Sequence, residues 1–165
     1  MTEVVLGLGS NMGNREKFLS DAILLLSQEA GMVSQISSVW ETEPWGFNSG
    51  ASFLNMAITM QTELEVEIFF RVMHSIEARL GRERSGRGYH SRTIDIDILF
   101  WGESIITRQD LVIPHPHITE RLFVLAPLNE IKPDFIHPGK NRRISELLVQ
   151  CADDKAIKCI GPLQL

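Results

Sequence analysis

Residues 53–81, FLNMAITMQTELEVEIFFRVMHSIEARLG, decide the fold because they place a strand pattern directly before a helix pattern. Large apolar side chains alternate with other residues over 53–62, which is the period of a strand with one buried face. From Glu63 onward the apolar residues recur at spacings of three and four. This spacing predicts an amphipathic helix that ends at Gly81.

The rest of the first hundred residues repeats these two patterns. Three further strands and one further helix are predicted, at 4–9, 33–42 and 93–100 for the strands and at 15–29 for the helix. The resulting order, β-α-β-β-α-β, is typical of the ferredoxin-like fold in the α+β class. In that fold an antiparallel sheet carries both helices on one face.

The remaining residues predict a smaller set of elements. We expect a hairpin-like excursion over 101–113. Because prolines recur along the tail, we expect only short helices after it, near 119–126 and 143–150.

Strand alternation places polar side chains on one face of the predicted sheet. The isoleucines of the strand at 93–100 take one face, and Asp95 and Asp97 take the other. With the isoleucines packed on the helices, both aspartates and Asn55 line the helix-free face. Gly7 or Gly9 would leave room above them. The side of the sheet opposite the helices is therefore predicted to hold a small-molecule site.

The composition is that of one globular domain spanning residues 1–165. The chain has 44% hydrophobic and 22% charged residues, which excludes wholesale disorder. Its net charge of −5 is opposite in sign to that of most duplex-binding proteins, so we expect no nucleic-acid partner. No apolar run approaches the length of a membrane span. We expect no membrane partner, and a monomer.

The first residues and the cysteines predict a cytoplasmic protein. Residues 1–3 carry no basic region ahead of an apolar core, so no signal peptide is expected. Cys151 and Cys159 lack the spacing of a zinc site. A reducing compartment is the simplest setting for such cysteines.

Positive charge is concentrated in one segment of this acidic chain. Five arginines and a single acid occur between residues 79 and 92. The arginines are Arg79, Arg82, Arg84, Arg87 and Arg92. Such a cluster is typical either of a solvated surface or of a site for a locally anionic ligand, and we expect the latter.

The Asp95-Ile96-Asp97 motif directly follows this cluster. Carboxylates two residues apart on a strand lie on the same side, roughly 7 Å apart along the backbone. Two such hard oxygen ligands suit Mg²⁺ when phosphate oxygens complete its coordination. Two solvated acids on an exposed strand would give the same motif. The neighbouring arginines favour the metal site, because phosphoryl transfer depends on positioning and charge neutralisation.

Two histidines occur in the stiff segment PHPH at 114–117. In one interpretation His115 and His117 are ligands of a softer metal together with Asp95 and Asp97. In another, His115 donates to a phosphate and His117 is structural. Two exposed loop histidines are also compatible with this segment.

Six segments, distributed over nearly the whole chain, share their pattern with one enzyme family. They are LGSN (8–11), TEPWG (42–46), FLN (53–55), IEARLGR (76–82), RTIDIDIL (92–99) and PHPHITERLF (114–123). In this combination and order they resemble the 6-hydroxymethyl-7,8-dihydropterin pyrophosphokinase family of folate biosynthesis. Its enzymes are ferredoxin-like and transfer diphosphate from ATP to the pterin hydroxymethyl group, releasing AMP.

The resemblance implies functional residues position by position. The catalytic residues would be Arg82, Arg92, Asp95 and Asp97, with two Mg²⁺ ions held by the two aspartates. The pterin would be bound by Thr42, Pro44, Trp45, Phe53, Asn55, Arg121 and Phe123, with the two phenylalanines on either side of its ring. ATP would be bound by Glu77, Arg82, Arg84, Arg92, Ile98 and His115.

The chain departs from the family pattern in two places. Just before Arg92 the family usually has a basic residue followed by Trp, Gly and Pro, whereas residues 88–91 here read GYHS. Residue 110, often basic in the family, is Asp110, and Val112 replaces a position that can be threonine. These changes concern the adenosine contacts and not the metal centre. We therefore expect activity with ATP and Mg²⁺ at a weaker nucleotide affinity.

Two other classes of function are compatible with some of these residues. A metal-dependent hydrolase built on Asp95, Asp97, His115 and His117 would retain zinc or iron through purification. A non-catalytic ligand sensor would bind its ligand without turnover, since ferredoxin-like domains also serve as regulatory modules.

Overall fold

The computed structural model of the protein describes residues 1–42, 52–81 and 92–165. The strands in these ranges are β1 (Thr2–Ser10), β2 (Met32–Ile36), β3 (Val39–Thr42), β4 (Phe53–Thr62), β5 (Asp95–Trp101), β6 (Ile106–Thr107), β7 (Val112–Ile113) and β8 (Ile157–Gly161). The helices are α1 (Arg15–Glu29), α2 (Val66–Arg79), α3 (Leu122–Ile131) and α4 (Ile144–Gln150), with a 3₁₀ turn at Ile118–Glu120. The structure confirms an α+β fold with an antiparallel sheet, and also the hairpin, in which β6 pairs with β7.

The antiparallel sheet has the order β5-β1-β4-β3-β8, and β2 also pairs with β4. The single strand predicted over 33–42 is wrong, because β2 and β3 are separated at Ser37 and Ser38. Ser37 donates its N–H to the carbonyl of Ala57, and its Oγ accepts the N–H of Ala57, both at 2.9 Å. Since the hydroxyl replaces a backbone acceptor, the interruption costs no hydrogen bond to β4.

The main core lies between the sheet and helices α1 and α2. The predicted inward residues of two strands are buried there, namely Leu54, Met56, Ile58, Met60, Ile94, Ile96 and Ile98. From α2, Phe69, Met73 and Ile76 fill the same core at helical spacing. Burying each such side chain stabilises the fold by roughly 1.5–3 kcal/mol. The same alternation turns Asn55, Asp95 and Asp97 to the opposite face.

The opposite face is only partly free of helices, which corrects the expectation from the sequence. Helices α3 and α4 cover part of it through a second core of Val5, Leu99, Phe100, Ile118, Leu125, Leu128, Ile144 and Leu147. In the ladder between β1 and β5, Val5 is opposite Phe100 while Leu6 is opposite Ile98. Leu99 is therefore an extra residue, and this bulge directs both Leu99 and Phe100 into the second core.

Helix α3 is longer than predicted and is supported by the C-terminal residues. It continues through Pro127 to Ile131, because Leu125 and Leu128 are buried on either side of the proline. Asp153 accepts the N–H of Leu122 at 3.0 Å and so caps the first turn of α3. The unpredicted strand β8 pairs with β3. None of the helices in the described ranges is both long and apolar enough to cross a membrane.

Candidate active site

The floor of the site is formed by small residues on the central strands. In the strand register, Gly9 lies between Asn55 and Asp95, and Gly7 lies between Ala57 and Asp97. A Cβ at Gly9 would come within 3.1 Å of the Asn55 Oδ1, so any side chain there would crowd the amide. The two glycines therefore keep the space above the sheet open, as the sequence predicts.

A pocket opens above this floor, between the sheet and the start of α3. It is open to solvent at its mouth, and its space together with that solvent amounts to about 730 Å³. Eight of the residues assigned by resemblance line it: Thr42, Phe53, Asn55, Arg92, Asp95, Asp97, Arg121 and Phe123. Residues from four separate parts of the chain thus meet in one pocket.

The other assigned residues are not part of this lining as far as the structure describes them. Pro44, Trp45, Arg82 and Arg84 fall outside the described residues, as do residues 88–91. Ile98 is 4% exposed and packs in the main core, because strand alternation turns it toward the helices. Its side chain is therefore turned away from the pocket, so the proposed contact of residue 98 with ATP would be made by its backbone.

Opposite charges meet at the β5 side of the pocket. A guanidinium nitrogen of Arg92 lies 2.9 Å from the Asp95 Oδ2, and both side chains are about three-quarters buried. Asp97 follows on the same face of β5, and Arg121 closes the pocket from the start of α3. This side therefore combines carboxylates that suit a divalent cation with guanidinium groups that suit phosphate.

The pocket also presents a hydrogen-bond acceptor and two aromatic rings. The Nδ2 of Asn55 donates to the Thr42 Oγ1 at 2.9 Å, and Asn55 is 7% exposed. Because the amide nitrogen is engaged in this bond, the Oδ1 faces the space above Gly9. Phe53 and Phe123 line the same pocket. The arrangement suits a planar ring whose edge carries N–H donors.

Glu77 lies beneath the site, on the other side of β5. It is 1% exposed, its Oε1 accepts the N–H of Ile96 at 2.8 Å, and its Oε2 lies 2.9 Å from the His74 Nδ1. In the described sheet β5 is an edge strand, so this carboxylate supplies an acceptor where a neighbouring strand would otherwise do so. Glu77 fixes the backbone between the two aspartates and, buried in this way, does not line the pocket.

His115 is a neutral donor near the site. Burial, followed by the positive charge of Arg121, lowers the pKa of His115 from 6.5 to about 4. Its Nδ1 accepts the N–H of His117 at 3.2 Å. The proton of the neutral ring is therefore assigned to Nε2, which can donate to an anionic oxygen. This geometry favours the phosphate-donor interpretation of His115.

His117 has a structural partner. Its Nδ1 lies 2.9 Å from the Glu120 Oε2 at an exposed position. Within the described ranges, no group of three or more His, Cys, Asp and Glu side chains is placed to share a metal ion. The four-residue site of the hydrolase hypothesis is therefore not formed there.

Sequence reasoning gave no role to two further side chains. Asn11 is 1% exposed, and its Oδ1 accepts the N–H of Arg92. His137 is 5% exposed, lies edge-on to Phe100, and accepts the N–H groups of Gly139 and Lys140 at its Nδ1. No local sequence pattern indicates the contact of Asn11 with Arg92 or that of His137 with Phe100. Burial lowers the pKa of His137 below its ordinary value.

Acid should destabilise the fold through these histidines. A histidine with a folded-state pKa below the unfolded value of 6.5 contributes stability that is complete above that pH. The contribution is lost as the pH falls from 6.5 toward about 4, the folded-state pKa of His115. We expect His137→Asn, which keeps an acceptor but cannot titrate, to show a shallower loss of stability as the pH falls below about 6.5. Urea unfolding at several pH values measures this, and an unchanged slope would contradict it.

Sequence relatives place the chain among the pyrophosphokinases. It is 45% identical over 127 residues to the 2-amino-4-hydroxy-6-hydroxymethyldihydropteridine pyrophosphokinase of Bacillus subtilis, covering 76% of this chain and 75% of that protein. It is 39% identical over 143 residues to the enzyme of the same name from Porphyromonas gingivalis, covering 84% and 95%. The family profile of 7,8-dihydro-6-hydroxymethylpterin-pyrophosphokinase matches residues 5–133, which contain the whole lining of the pocket. The chain belongs to this family.

Solved structures agree on the fold. An HPPK-DHPS protein crystallised with substrates has a TM-score of 0.73 at 16% identity, and that of Plasmodium falciparum has 0.75 at 18%. They cover 90% and 91% of this chain, respectively. The chain spans 43% of the length of each of these proteins. The likeness at these identities concerns the fold, which is thus confirmed as that of the family's domains.

Proposed function

We propose that the protein transfers diphosphate from ATP to the hydroxymethyl group of 6-hydroxymethyl-7,8-dihydropterin, giving the pterin diphosphate and AMP. The observation that carries this proposal is the division of one pocket into two chemically different sides. Phe53 and Asn55 belong to β4 on one side of Gly9, Asp95 and Asp97 belong to β5 on the other side with Arg92 just before them, and Phe123 lines the same pocket from α3. The first side suits a planar heterocycle and the second a polyphosphate with divalent cations.

The pterin is bound on the side of β3 and β4. Its ring stacks between Phe53 and Phe123, and its polar edge donates to the Asn55 Oδ1, which Thr42 holds in place. Pro44 and Trp45, from the adjoining segment, add contacts to the same edge. The hydroxymethyl group then points across Gly9 toward Asp95 and Arg121, about two strand spacings, or roughly 10 Å, from Asn55.

Asn55→Ala should weaken binding of the pterin and not of ATP. We expect the KM for the pterin to rise about 10- to 100-fold, because an unpaired donor in a buried site costs roughly 1–3 kcal/mol. Asn14→Ala is a matched control, since the Asn14 side chain is exposed and caps α1. Steady-state kinetics with each substrate varied in turn measures both constants. A KM for the pterin equal to that of the control would contradict this role.

The donor set at β5 fits magnesium. Asp95 and Asp97 offer carboxylate oxygens on one face, and ATP would add phosphate oxygens, which together match the hard ligands that Mg²⁺ prefers. We infer that these two aspartates hold two Mg²⁺ ions. When bound, the ions neutralise phosphate charge as the diphosphate moves.

The chain's own residues act mainly by positioning and charge. The hydroxymethyl oxygen attacks the β-phosphorus in line, and the bond to the α-phosphate oxygen breaks to release AMP. Arg92, held at 2.9 Å from Asp95, lies where negative charge develops on the transferred group, and Arg82 adds a second positive charge. Arg121 contacts the region of the reacting oxygen. Closely held reactants account for much of the rate without a strong base.

ATP is bound by residues outside the part of the pocket that is assigned to the pterin. His115 donates from Nε2 to a phosphate oxygen, and Arg84 joins Arg82 and Arg92 at the phosphates. Glu77 supports this site from below through the backbone of Ile96.

Asp110 lines a shallow hollow beside α2 together with Arg71 and Arg108. Because the family often has a base at this position, we infer a weaker affinity for the nucleotide.

The proposal also concerns the domain organisation, oligomeric state, location and partners of the protein. We infer a single pyrophosphokinase domain over residues 1–165 that acts as a monomer in the cytoplasm, with no nucleic-acid or membrane partner. The negative net charge supports the lack of a nucleic-acid partner.

A substrate-dependent AMP assay tests the proposed function. The purified protein, ATP and Mg²⁺ should yield AMP with 6-hydroxymethyl-7,8-dihydropterin and none with the 6-methyl analogue, which lacks the attacking oxygen. Equal AMP formation with both pterins, or none with either, would overturn the proposal.

A further inference from the structure

We propose that Asn11 is a positioning residue that holds Arg92 in place for diphosphate transfer. The inference rests on the proposed function, since it concerns the part that Arg92 plays there. Asn11 does not line the pocket, so it acts through Arg92 and not on the substrates.

Two hydrogen bonds connect Asn11 to the backbone of Arg92, 81 residues further along the chain. The Oδ1 of Asn11 accepts the N–H of Arg92 at 2.6 Å, and the N–H of Asn11 donates to the carbonyl of Arg92 at 3.0 Å. Asn11 is 1% exposed, so water does not compete for these bonds. They lie beyond Gly9 and Asp95, the last paired residues of the ladder between β1 and β5.

The two hydrogen bonds from Asn11, together with Asp95, determine the position of the Arg92 guanidinium group. The Arg92 side chain reaches Asp95, three residues away, at 2.9 Å. With the backbone of residue 92 fixed to the end of β1 and its side chain fixed to Asp95, the guanidinium has few alternative positions. A displacement of about 1 Å at a reacting centre can lower a rate by roughly 100-fold.

The chemistry of the side chain fits this role. An asparagine offers a carbonyl acceptor without a charge, so it does not compete with Asp95 for the guanidinium. Alanine at position 11 would keep the backbone N–H that donates to Arg92 and remove the side-chain oxygen that accepts the N–H of Arg92. Asn11→Ala therefore removes one of the two hydrogen bonds between Asn11 and the backbone of Arg92.

A double-mutant cycle with Arg92→Ala tests the inference. We expect Asn11→Ala alone to lower kcat roughly 10- to 100-fold, with each KM changed by about twofold or less. In the Arg92→Ala background the same substitution should change kcat by about twofold or less, because its effect passes through Arg92. Asn14→Ala, which also removes an asparagine that accepts a backbone N–H, should leave kcat unchanged in both backgrounds.

The outcomes separate this inference from the proposed function. An equal loss of kcat from Asn11→Ala in both backgrounds would overturn the positioning role and leave the function intact. Full activity of Arg92→Ala would instead contradict the proposed role of Arg92. If Asn11→Ala fails to fold, Asn11→Ser, whose side chain is too short to reach the same N–H, enters the cycle with the same expectations.

Discussion

Asp97→Ala should abolish diphosphate transfer and leave the fold intact. Asp97 lies opposite Gly7 on the pocket face of β5, and its neighbours Ile96 and Ile98 carry the packing of that strand. Removing the carboxylate takes away the proposed Mg²⁺ ligand and no core contact. We expect kcat to fall about 1,000-fold or more, since a metal supplies several kcal/mol of charge stabilisation.

The measurement for Asp97 combines activity with stability. AMP formation is followed over a range of Mg²⁺ concentrations, and urea unfolding reports the free energy of unfolding of the same preparation. Asp21→Asn is the matched control, because Asp21 pairs with Lys17 on the surface of α1. Wild-type activity in Asp97→Ala, or an equal loss in Asp21→Asn, would show that the carboxylate has no specific role.

Arg92→Ala should lower turnover far more than it lowers ATP binding. The guanidinium is needed most where negative charge accumulates in the transition state, so its loss falls on kcat. Arginines that act in this way in phosphoryl transfer contribute roughly 1,000- to 100,000-fold, and we expect at least the lower value. The KM for ATP should rise by about tenfold or less.

Two comparisons isolate the contribution of Arg92. Arg92→Lys keeps the charge but not the planar fork, so it should recover only part of kcat. Arg79→Ala removes an arginine that pairs with Glu29 on the surface and should behave as the wild type. If kcat stays normal in Arg92→Ala while the KM for ATP rises, Arg92 binds the ground state only.

Strand alternation was enough to predict which side chains share the site. The pattern over 53–62 and 93–100 places Asn55, Asp95 and Asp97 on one face, and the register then brings them together across Gly9 and Gly7. This prediction is robust because a shift of the strand register by one residue would turn the apolar side chains of that strand away from the core. Which residues complete the pocket, by contrast, came from the resemblance to a family.

What the sequence could not predict depends on contacts between distant residues. The break between β2 and β3 depends on the hydroxyl of Ser37 replacing a backbone acceptor, which no local pattern indicates. Similarly, the sequence places Glu77 at the polar edge of an amphipathic helix. Its hydrogen bond from the N–H of Ile96 is evident only in the structure. The second core was missed because a bulge at Leu99 breaks the alternation on which the prediction depended.

The identity of the products tests the central claim most directly. Phosphorus NMR of a reaction with the wild-type protein, ATP, Mg²⁺ and the hydroxymethyl dihydropterin should show AMP and a pterin diphosphate in equal amounts. ADP with a pterin monophosphate would contradict diphosphate transfer, and AMP with free pyrophosphate and unmodified pterin would instead indicate a hydrolase.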